Sequence, residues 1–313
     1  MIRHIGRRLL LAIPTLLAVF TIIFIIVRVA PGDPAVAALG DYASADAVAA
    51  LRERMGLNEP LWKQYLTFLG DLAHGDLGRS LISEKPVSEQ IAFVLPYTLE
   101  LTLAAILVGL ALGIPIGILT AVRRNTGVDY AGRLLSLLGL SFPAFYLGIL
   151  LMFFLAVKVD LFPAVGAAPF SEPGRNLHYL VLPALTLGLI ETAYIARMTR
   201  SVILTILSDD YIRTARAKGL QESIVLIRHA LRAALIPIVS LVGIFAISLI
   251  GSSVLVEEVF ARPGLGKLMV GATKQRDYTT LQSIMVVYAL IIVVINLVTD
   301  IIYTYVDPRV RYA

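Results

Sequence analysis

The feature that most limits what this chain can fold into is a set of long apolar runs without a charged residue. A run of about 18 or more such residues is long enough, as an α-helix, to cross the roughly 30 Å hydrocarbon core of a membrane. Five runs qualify: Leu9–Val27, Leu101–Val122, Leu134–Val157, Ala233–Val256 and Tyr278–Thr299. A sixth, Tyr179–Ala196, is interrupted only by Glu191. Only 16% of the residues are charged, against about 25% in soluble domains. The sequence therefore predicts an all-α polytopic membrane protein with six transmembrane helices.

The first run has one alternative interpretation. Arg3, Arg7 and Arg8 precede it, as basic residues precede the apolar core of a secretory signal peptide. Such cores contain only about 7 to 15 residues, and this run, 9–27, is longer. We therefore interpret it as the first span.

Residue types that catalysis or metal binding would require are scarce. The chain contains no cysteine, which excludes disulfides, thiolate nucleophiles and cysteine metal sites. The histidines have no ligand spacing: they are His4, His74, His178 and His229. An intramembrane hydrolase would need a base beside its nucleophile, and only His178 lies near a span. We expect no catalytic residue, no metal site and no cofactor in this chain.

The basic residues predict the orientation. With the N-terminus inside, cytoplasmic segments hold fifteen of the 27 lysines and arginines, and the short outer loops hold six. The other six lie in the long first loop, where the charge rule is weak. Because cytoplasmic loops collect Lys and Arg, both termini should be cytoplasmic. The net charge of +5 has the same explanation and requires no nucleic-acid partner.

A polar segment, 28–100, separates the first two spans and carries its own helix signals. Ser44 can cap a helix that stops at Gly56, and Pro60 can start a second helix. Apolar residues of the second helix recur at helical spacing: Leu61, Tyr65, Phe68, Leu69 and Leu72. This outward-facing insertion either packs against the membrane and the bundle or provides a docking platform for an external partner.

The loop between the fourth and fifth spans, 197–232, is strongly basic and patterned as short helices. Asp209 suits a helix N-terminus, cations follow toward the C-terminus, and Gly219 ends the helix. Ile212, Ala215 and Gly219 share one face, and the last two are small enough for another surface to approach closely. The pattern predicts a helix over 209–219 and permits either a docking site or an ordinary basic loop.

After the glycine, the sequence is amphipathic. An apolar stripe consists of Ile224, Ile227 and Leu231, and a basic stripe of Arg228 and Arg232. Such a pattern predicts a helix that lies at the level of the lipid headgroups.

Two stretches of this loop carry a family resemblance. Residues 211–220 read Tyr-Ile-Arg-Thr-Ala-Arg-Ala-Lys-Gly-Leu, and 228–237 read Arg-His-Ala-Leu-Arg-Ala-Ala-Leu-Ile-Pro. They resemble the cytoplasmic signature of binding-protein-dependent ABC importer permeases, in the dipeptide, oligopeptide and nickel branch, for the subunit with the long first loop. Further motifs of that branch follow in order at 30–34, 74–80, 96–101, 257–266, 276–278 and 307–311.

The signature also has departures. Arg213, His229 and Arg232 stand where the general pattern has an acidic residue, an isoleucine and a proline. One of the two paired permeases of the peptide branch commonly departs in this way, which indicates one half of a heterodimer.

The resemblance implies a type I ABC importer permease fold and an alternating-access mechanism in a bacterial-type inner membrane. A second homologous permease, two ATPase subunits that bind ATP and Mg, and an extracytoplasmic solute-binding protein are the implied partners. Peptides or a similar small solute are the implied substrate. The implied domains are the first span with its cytoplasmic end (1–30), the helical insertion (31–96), the five-helix core (97–306) and a cytoplasmic tail (307–313).

The same resemblance implies that the short helix fits a cleft in an ATPase and converts its closure into opening of the spans. The implied coupling residues are Asp210, Tyr211, Ile212, Arg213, Thr214, Ala215, Arg216, Ala217, Lys218, Gly219 and Leu220.

For the translocation path we name Glu191, Ser248, Ser252 and Asn296. An ionised carboxylate in mid-membrane costs several kcal/mol unless water or a partner receives it, so Glu191 should face the pathway. A structural pair with a neighbouring span is the alternative. Gly109, Gly113 and Gly117, four residues apart in the second span, indicate either close helix packing or a gating hinge.

The leading rival is a secondary carrier or channel, since six spans with broken helices suit many pore proteins. The intramembrane ionisable groups, Glu100, Glu191 and Asp300, are few for a proton relay. The one stretch similar to a nucleotide-binding loop, 261–268, lacks its first glycine and the Ser or Thr after Lys267. We predict a plain loop there.

Overall fold

The computed structural model describes residues 2–29, 34–40 and 43–306. The helices in these ranges are α1 Ile2–Val29, α2 Pro34–Leu39, α3 Ala45–Arg54, α4 Leu61–Ala73, α5 Val87–Val122, α6 Gly127–Ser141, α7 Ala144–Leu151, α8 Pro173–Leu207, α9 Asp210–Ala217, α10 Glu222–Ile224, α11 Arg232–Val259, α12 Leu265–Lys274 and α13 Tyr278–Val306. The π-helical segments Met152–Lys158 and Val225–Leu231 continue α7 and α10. The described ranges contain no β-strand, only an isolated bridge between Arg79 and Pro86. The predicted all-α class is confirmed. Most of the 30–34 motif and all of the 307–311 motif lie outside the described residues.

In the part of the chain that the structure describes, five helical segments are long and apolar enough to cross a membrane: Leu10–Val29, Val87–Val122, Pro173–Leu207, Glu222–Val259 and Tyr278–Ile302. They coincide with the predicted spans one, two, four, five and six. Two are much longer than the apolar runs that predicted them, since α5 begins at Val87 and α8 continues to Leu207.

The predicted third span is not one straight helix. Its residues form Gly127–Ser141 and Ala144–Lys158, which meet at an angle of 103°. Phe142 is extended there, with φ −90° and ψ 131°, and Pro143 begins the second helix. A proline disfavours the helical conformation of the residue before it, which explains the break inside an uninterrupted apolar run. Counting the bent pair as one span gives six.

The chain divides into two compact units. The first contains Tyr97–Pro263 and the end of the chain from Ile295, and the second contains Ile2–Pro96 and Gly264–Val294. In the first unit, α5, α8 and α11 contribute the buried side chains Leu101, Leu182, Leu187, Leu249 and Phe260 to one core. In the second, α12 and the adjoining parts of α5 and α13 bury Val87, Ile91, Leu265, Ile284 and Val287.

The segment between α1 and α5 has the helices that its sequence predicts. The Ser44 hydroxyl accepts a hydrogen bond from Ala47 N at 3.3 Å, as a helix cap does, and Gly56 has φ +64° after the end of α3. Pro60 precedes α4. This helix packs on α1, where Tyr65 lies edge-on to the Phe24 ring at 5.3 Å. The packing alternative is therefore supported, while Trp62 and Leu66 of α4 remain exposed.

Candidate coupling helix and translocation path

The predicted short helix exists as α9, and Gly219 terminates it. Gly219 has φ +77°, its N–H donates to Arg216 O at 2.9 Å, and Leu220 N–H donates to Ala215 O at 3.4 Å. These two bonds form a Schellman motif, the usual helix end at a residue in the left-handed conformation. The turn expected at Gly219 from the sequence is confirmed.

One face of α9 is anchored within this chain. Ile212 is 0% exposed and Ala215 is 7% exposed, in a cluster with Ile203, Val225 and Ala230. The expectation that Ala215 leaves space for another protein is therefore wrong. Helical periodicity groups Ile212 with Ala215 correctly, but it does not say which neighbour covers that face.

The other face of α9 is exposed. Its exposed residues, with those that follow, are Asp210, Tyr211, Arg213, Thr214, Arg216, Ala217, Lys218, Gly219 and Leu220. Arg216 donates to the Glu222 carboxylate at 2.6 and 3.1 Å. This hydrogen bonding raises the pKa of the Arg216 guanidinium and ties α9 to α10. Tyr211, Thr214 and Lys218, which form no ion pair among the described residues, make up one stripe of this exposed face.

The sequence after Gly219 does not form a separate helix at the lipid surface. Residues 222–259 form one helical span, and the predicted apolar and basic stripes lie in its first part, from Ile224 to Arg232. Val225 and Ala230 are buried against α9 and its neighbours, whereas Ile227 is exposed. The amphipathic pattern therefore marks where this span begins.

Glu191 lies in the middle of α8, against α5. A Cβ built on Gly109 would lie 2.8 Å from the Glu191 Cβ, so only glycine permits this approach of the two helices. Gly113 and Gly117 make similar contacts with Ile195 and Thr199 of α8. Since α5 is continuous through all three glycines, they support close packing rather than a hinge.

The Glu191 side chain is 5% exposed, and its Oε2 has no hydrogen-bond partner among the described residues. The alternative, that Glu191 forms a structural pair with a residue of a neighbouring span, is therefore not supported by the described residues. Ser248 and Ser252 of α11 are exposed and half-buried, and Asn296 of α13 is exposed. No hydrogen bond in the described ranges joins these three residues to Glu191, so their common role stays a prediction.

Two family models match the chain. Residues 113–312 match the model described as "Binding-protein-dependent transport system inner membrane component", and residues 1–102 match the model of its N-terminal part. The chain belongs to this family. The permease is 39% identical to the dipeptide transport system permease protein DppB of Alkalihalophilus pseudofirmus. It is 42% identical to the glutathione transport system permease protein GsiC of Pectobacterium atrosepticum and 41% identical to the oligopeptide transport system permease protein AppB of Bacillus subtilis. Each similarity covers 100% of both chains.

A solved structure supports the fold. The permease aligns with a chain of the inward-facing MetNI methionine ABC transporter with a TM-score of 0.56 and 22% sequence identity, over 70% of this chain and 96% of that one. The predicted type I importer permease fold is confirmed. Its relatives are named as transport permeases, in agreement with the prediction that this subunit is not an enzyme.

A buried ion pair that the sequence patterns did not predict joins α6 and α8. The Arg200 Nε and Nη2 atoms donate to the two carboxylate oxygens of Asp129 at 2.7 and 2.8 Å, and Asn125 N–H donates to Asp129 at 3.0 Å. Arg133 Nε lies 3.5 Å from the same carboxylate. The fully buried Asp129 thus fixes the first turn of α6 to α8.

A second polar cluster that the sequence patterns did not predict joins Glu100, Asn176 and Arg262. Arg262 is fully buried and donates to Glu100, whose carboxylate also accepts from Asn176 Nδ2 at 2.6 Å. Burial lowers the pKa of the Arg262 guanidinium, and the carboxylates of Glu100 and Glu257 act in the opposite direction. Glu100 and Arg262 belong to two of the family motifs, so these motifs contribute to one polar core.

Two other motifs meet in the second unit. The Asp277 carboxylate accepts hydrogen bonds from the Ser80 hydroxyl at 2.6 Å and the Thr280 hydroxyl at 2.7 Å. Ser283 donates to Leu77 O at 2.6 Å. Side-chain hydrogen bonds therefore hold the 74–80 motif to the N-terminal end of α13. The local sequence pattern of the motif does not predict these contacts.

The stretch 261–268 is only partly a loop, contrary to prediction. Gly264 is the N-cap of α12, which begins at Leu265, and Leu265 and Gly266 are buried.

Among the described residues, no three His, Asp or Glu side chains are grouped as metal ligands.

Proposed function

We propose that this permease is one half of the translocation path of an ABC importer for peptides or a similar small solute. The names of its full-length relatives, which specify dipeptides, glutathione and oligopeptides, support this substrate class. A second homologous permease supplies the other half of the path. A solute-binding protein delivers the substrate, and two separate ATPase subunits bind ATP and Mg and supply the energy.

The proposal for energy coupling rests chiefly on the surface of α9. This helix buries Ile212 and Ala215 in its own chain, while the opposite face is exposed and ends at a left-handed glycine. A short helix that is packed on one face against its own chain can transmit to that chain the movement of a subunit bound to its other face. We assign 209–219 as the coupling element, with Tyr211, Thr214 and Lys218 nearest the ATPase.

The proposed location is a bacterial-type inner membrane with both termini in the cytoplasm. The concentration of lysines and arginines in the segments assigned to that side supports this orientation. The same assignment puts α2 to α4 outside, where the solute-binding protein docks, and keeps the proposed domains 1–30, 31–96, 97–306 and 307–313. The last of these lies outside the described residues.

The proposed path includes Glu191, because a buried carboxylate oxygen without a partner is costly unless water, substrate or a second subunit reaches it. A cysteine at position 191 tests this assignment. It should react with a water-soluble thiol reagent in at least one state of the transport cycle, and protection in every state would refute the path role.

Reconstitution separates the importer from a secondary carrier or channel. Liposomes that contain the permease alone should show no flux, whereas the complex with its partner permease, ATPases and binding protein should take up peptide only with ATP. Flux through the permease alone would support the carrier. A stable homodimer, active without ATP, would refute the proposed heteromeric assembly.

Crosslinking tests the coupling surface in the same assembled complex. Cysteines at Thr214 and Lys218 should crosslink to an ATPase subunit, and a cysteine at Ile212, on the buried face, should not. The reverse pattern would show that α9 is oriented differently in the complex.

A further inference from the structure

A cavity of about 240 Å³ lies between α5, α6 and α8. Three arginines line it: Arg133, Arg197 and Arg200. Its remaining walls are formed by Ile116, Thr120, Gly132, Ser136, Leu137, Leu140 and Ala196. The cavity therefore combines a mainly apolar lining with a basic part, formed by the three arginines and called its mouth below.

The positive charge at the mouth exceeds the negative charge. Asp129 is the carboxylate paired with both Arg200 and Arg133, at 2.7 and 3.5 Å. Arg197 is exposed, forms no ion pair with any residue in the described ranges, and lies 5.8 Å from the Tyr194 ring centroid. Asp129 thus compensates two of the three arginines, and the mouth can accept a further anion.

The walls offer few free polar groups. The Thr120 hydroxyl is already used, because it donates to Ile116 O at 2.8 Å and to Gly117 O at 3.0 Å. Leu137 is exposed and Leu140 is half-buried at the same cavity, so its apolar side continues to the outer surface of α6. A free inorganic anion would use the mouth only, whereas a lipid would fill both parts.

We propose that this cavity binds one anionic glycerophospholipid, with its phosphate at Arg133 and Arg197 and an acyl chain along Leu137, Leu140 and Ile116. The planar guanidinium fork matches phosphate geometry, and basic pockets between spans at the membrane surface suit acidic lipid headgroups. The inference requires that the chain spans a bilayer, which its family shows. It depends on the proposed orientation only for the leaflet, which would be the cytoplasmic one.

The direct test measures lipid binding by the assembled importer in nanodiscs, with fluorescent phosphatidylglycerol as the probe and phosphatidylcholine as the competitor. Native mass spectrometry of the same complex counts the bound lipids. Arg197→Gln and Arg133→Gln should each weaken phosphatidylglycerol binding about fivefold, since a basic residue at the membrane surface has roughly that effect. The matched control is Arg124→Gln, an exposed arginine between α5 and α6 that does not line the cavity, which should leave binding unchanged.

Three results would overturn the proposal. These are equal binding of phosphatidylcholine, unchanged phosphatidylglycerol binding in both variants, and displacement of the lipid by millimolar inorganic phosphate, which would indicate a site for free anions. If Arg133→Gln fails to assemble, Arg197→Gln decides alone, since Arg197 has no ion pair among the described residues.

Discussion

Two buried carboxylates differ in the groups that surround them: Asp129 of α6, which contacts α8, and Glu191 of α8 itself. At one end of the helix, Asp129 is 0% exposed and receives two hydrogen bonds from Arg200 and one from the Asn125 backbone. In the middle, Glu191 is nearly as buried, yet its Oε2 has no partner among the described residues. Burial of a charge is tolerated when opposite charge and hydrogen bonds compensate it. Asp129 therefore stabilises the fold, whereas nothing among the described residues compensates the burial of the Glu191 Oε2 atom.

The comparison predicts that loss of Asp129 has the largest effect on stability. Asp129→Ala leaves the mostly buried Arg200 without its carboxylate, and breaking a buried pair in this way costs about 3 to 5 kcal/mol. We expect little assembled permease in membranes and a markedly lower melting temperature in detergent. Asp210→Ala is the control, because Asp210 is 97% exposed and 3.7 Å from Arg213, and it should change stability by less than about 1 kcal/mol. Equal losses in the two variants would contradict the structural role of Asp129.

The next largest effect on stability is expected at Gly109, where α5 approaches α8 closely and covers Glu191. Gly109→Ala places a Cβ 2.8 Å from the Glu191 Cβ, and such overpacking costs about 1 to 3 kcal/mol. A titration with SDS should show this loss in the free energy of unfolding. Gly70→Ala in α4 provides the control, since nothing lies within 4 Å of its new Cβ, and helix propensity should make it neutral or stabilising by up to about 1 kcal/mol. A neutral Gly109→Ala would mean that α5 and α8 are less tightly packed than described.

Glu191→Gln should have the smallest effect on stability and a large effect on transport. The amide retains the shape of the side chain and removes a charge without a described partner, so the free energy of unfolding should stay constant or rise by about 1 kcal/mol. Peptide uptake by the assembled importer should fall at least about tenfold if the carboxylate meets substrate or water in the path. Normal uptake with unchanged stability would remove Glu191 from the path.

Local sequence patterns predicted the helices and their ends better than the contacts between them. Apolar runs identified the spans, and the preferences of Ser44 and Gly219 for helix ends were sufficient to locate both. The bend before Pro143 was missed because apolar composition does not change there. The covered face of α9 was missed because periodicity groups residues without identifying their neighbours.

The ion pairs were missed for a different reason. Asp129 and Arg200 are 71 residues apart, and Glu100 and Arg262 are 162 apart. Nothing near any of these residues in the sequence specifies its partner, so only the packing of α5, α6 and α8 and their loops brings them together. Because Ala215 is buried in the α9 cluster, Ala215→Trp should unfold this cluster and not merely uncouple the ATPase.

The central claim, that α9 transmits ATPase closure to the spans, depends most directly on Gly219. Gly219→Leu places a leucine in a left-handed conformation, which costs roughly 1 kcal/mol. Because nothing lies within 4 Å of the added Cβ, the permease should still fold. Gly75 is a matched control, because it follows α4 with φ +76°, against +77° at Gly219, and is equally unobstructed. The decisive measurement is co-purification of the ATPase subunits with each variant at equal permease level. We predict that Gly219→Leu loses the ATPase and Gly75→Leu retains it, and normal ATPase retention with normal transport by Gly219→Leu would contradict the coupling role of α9.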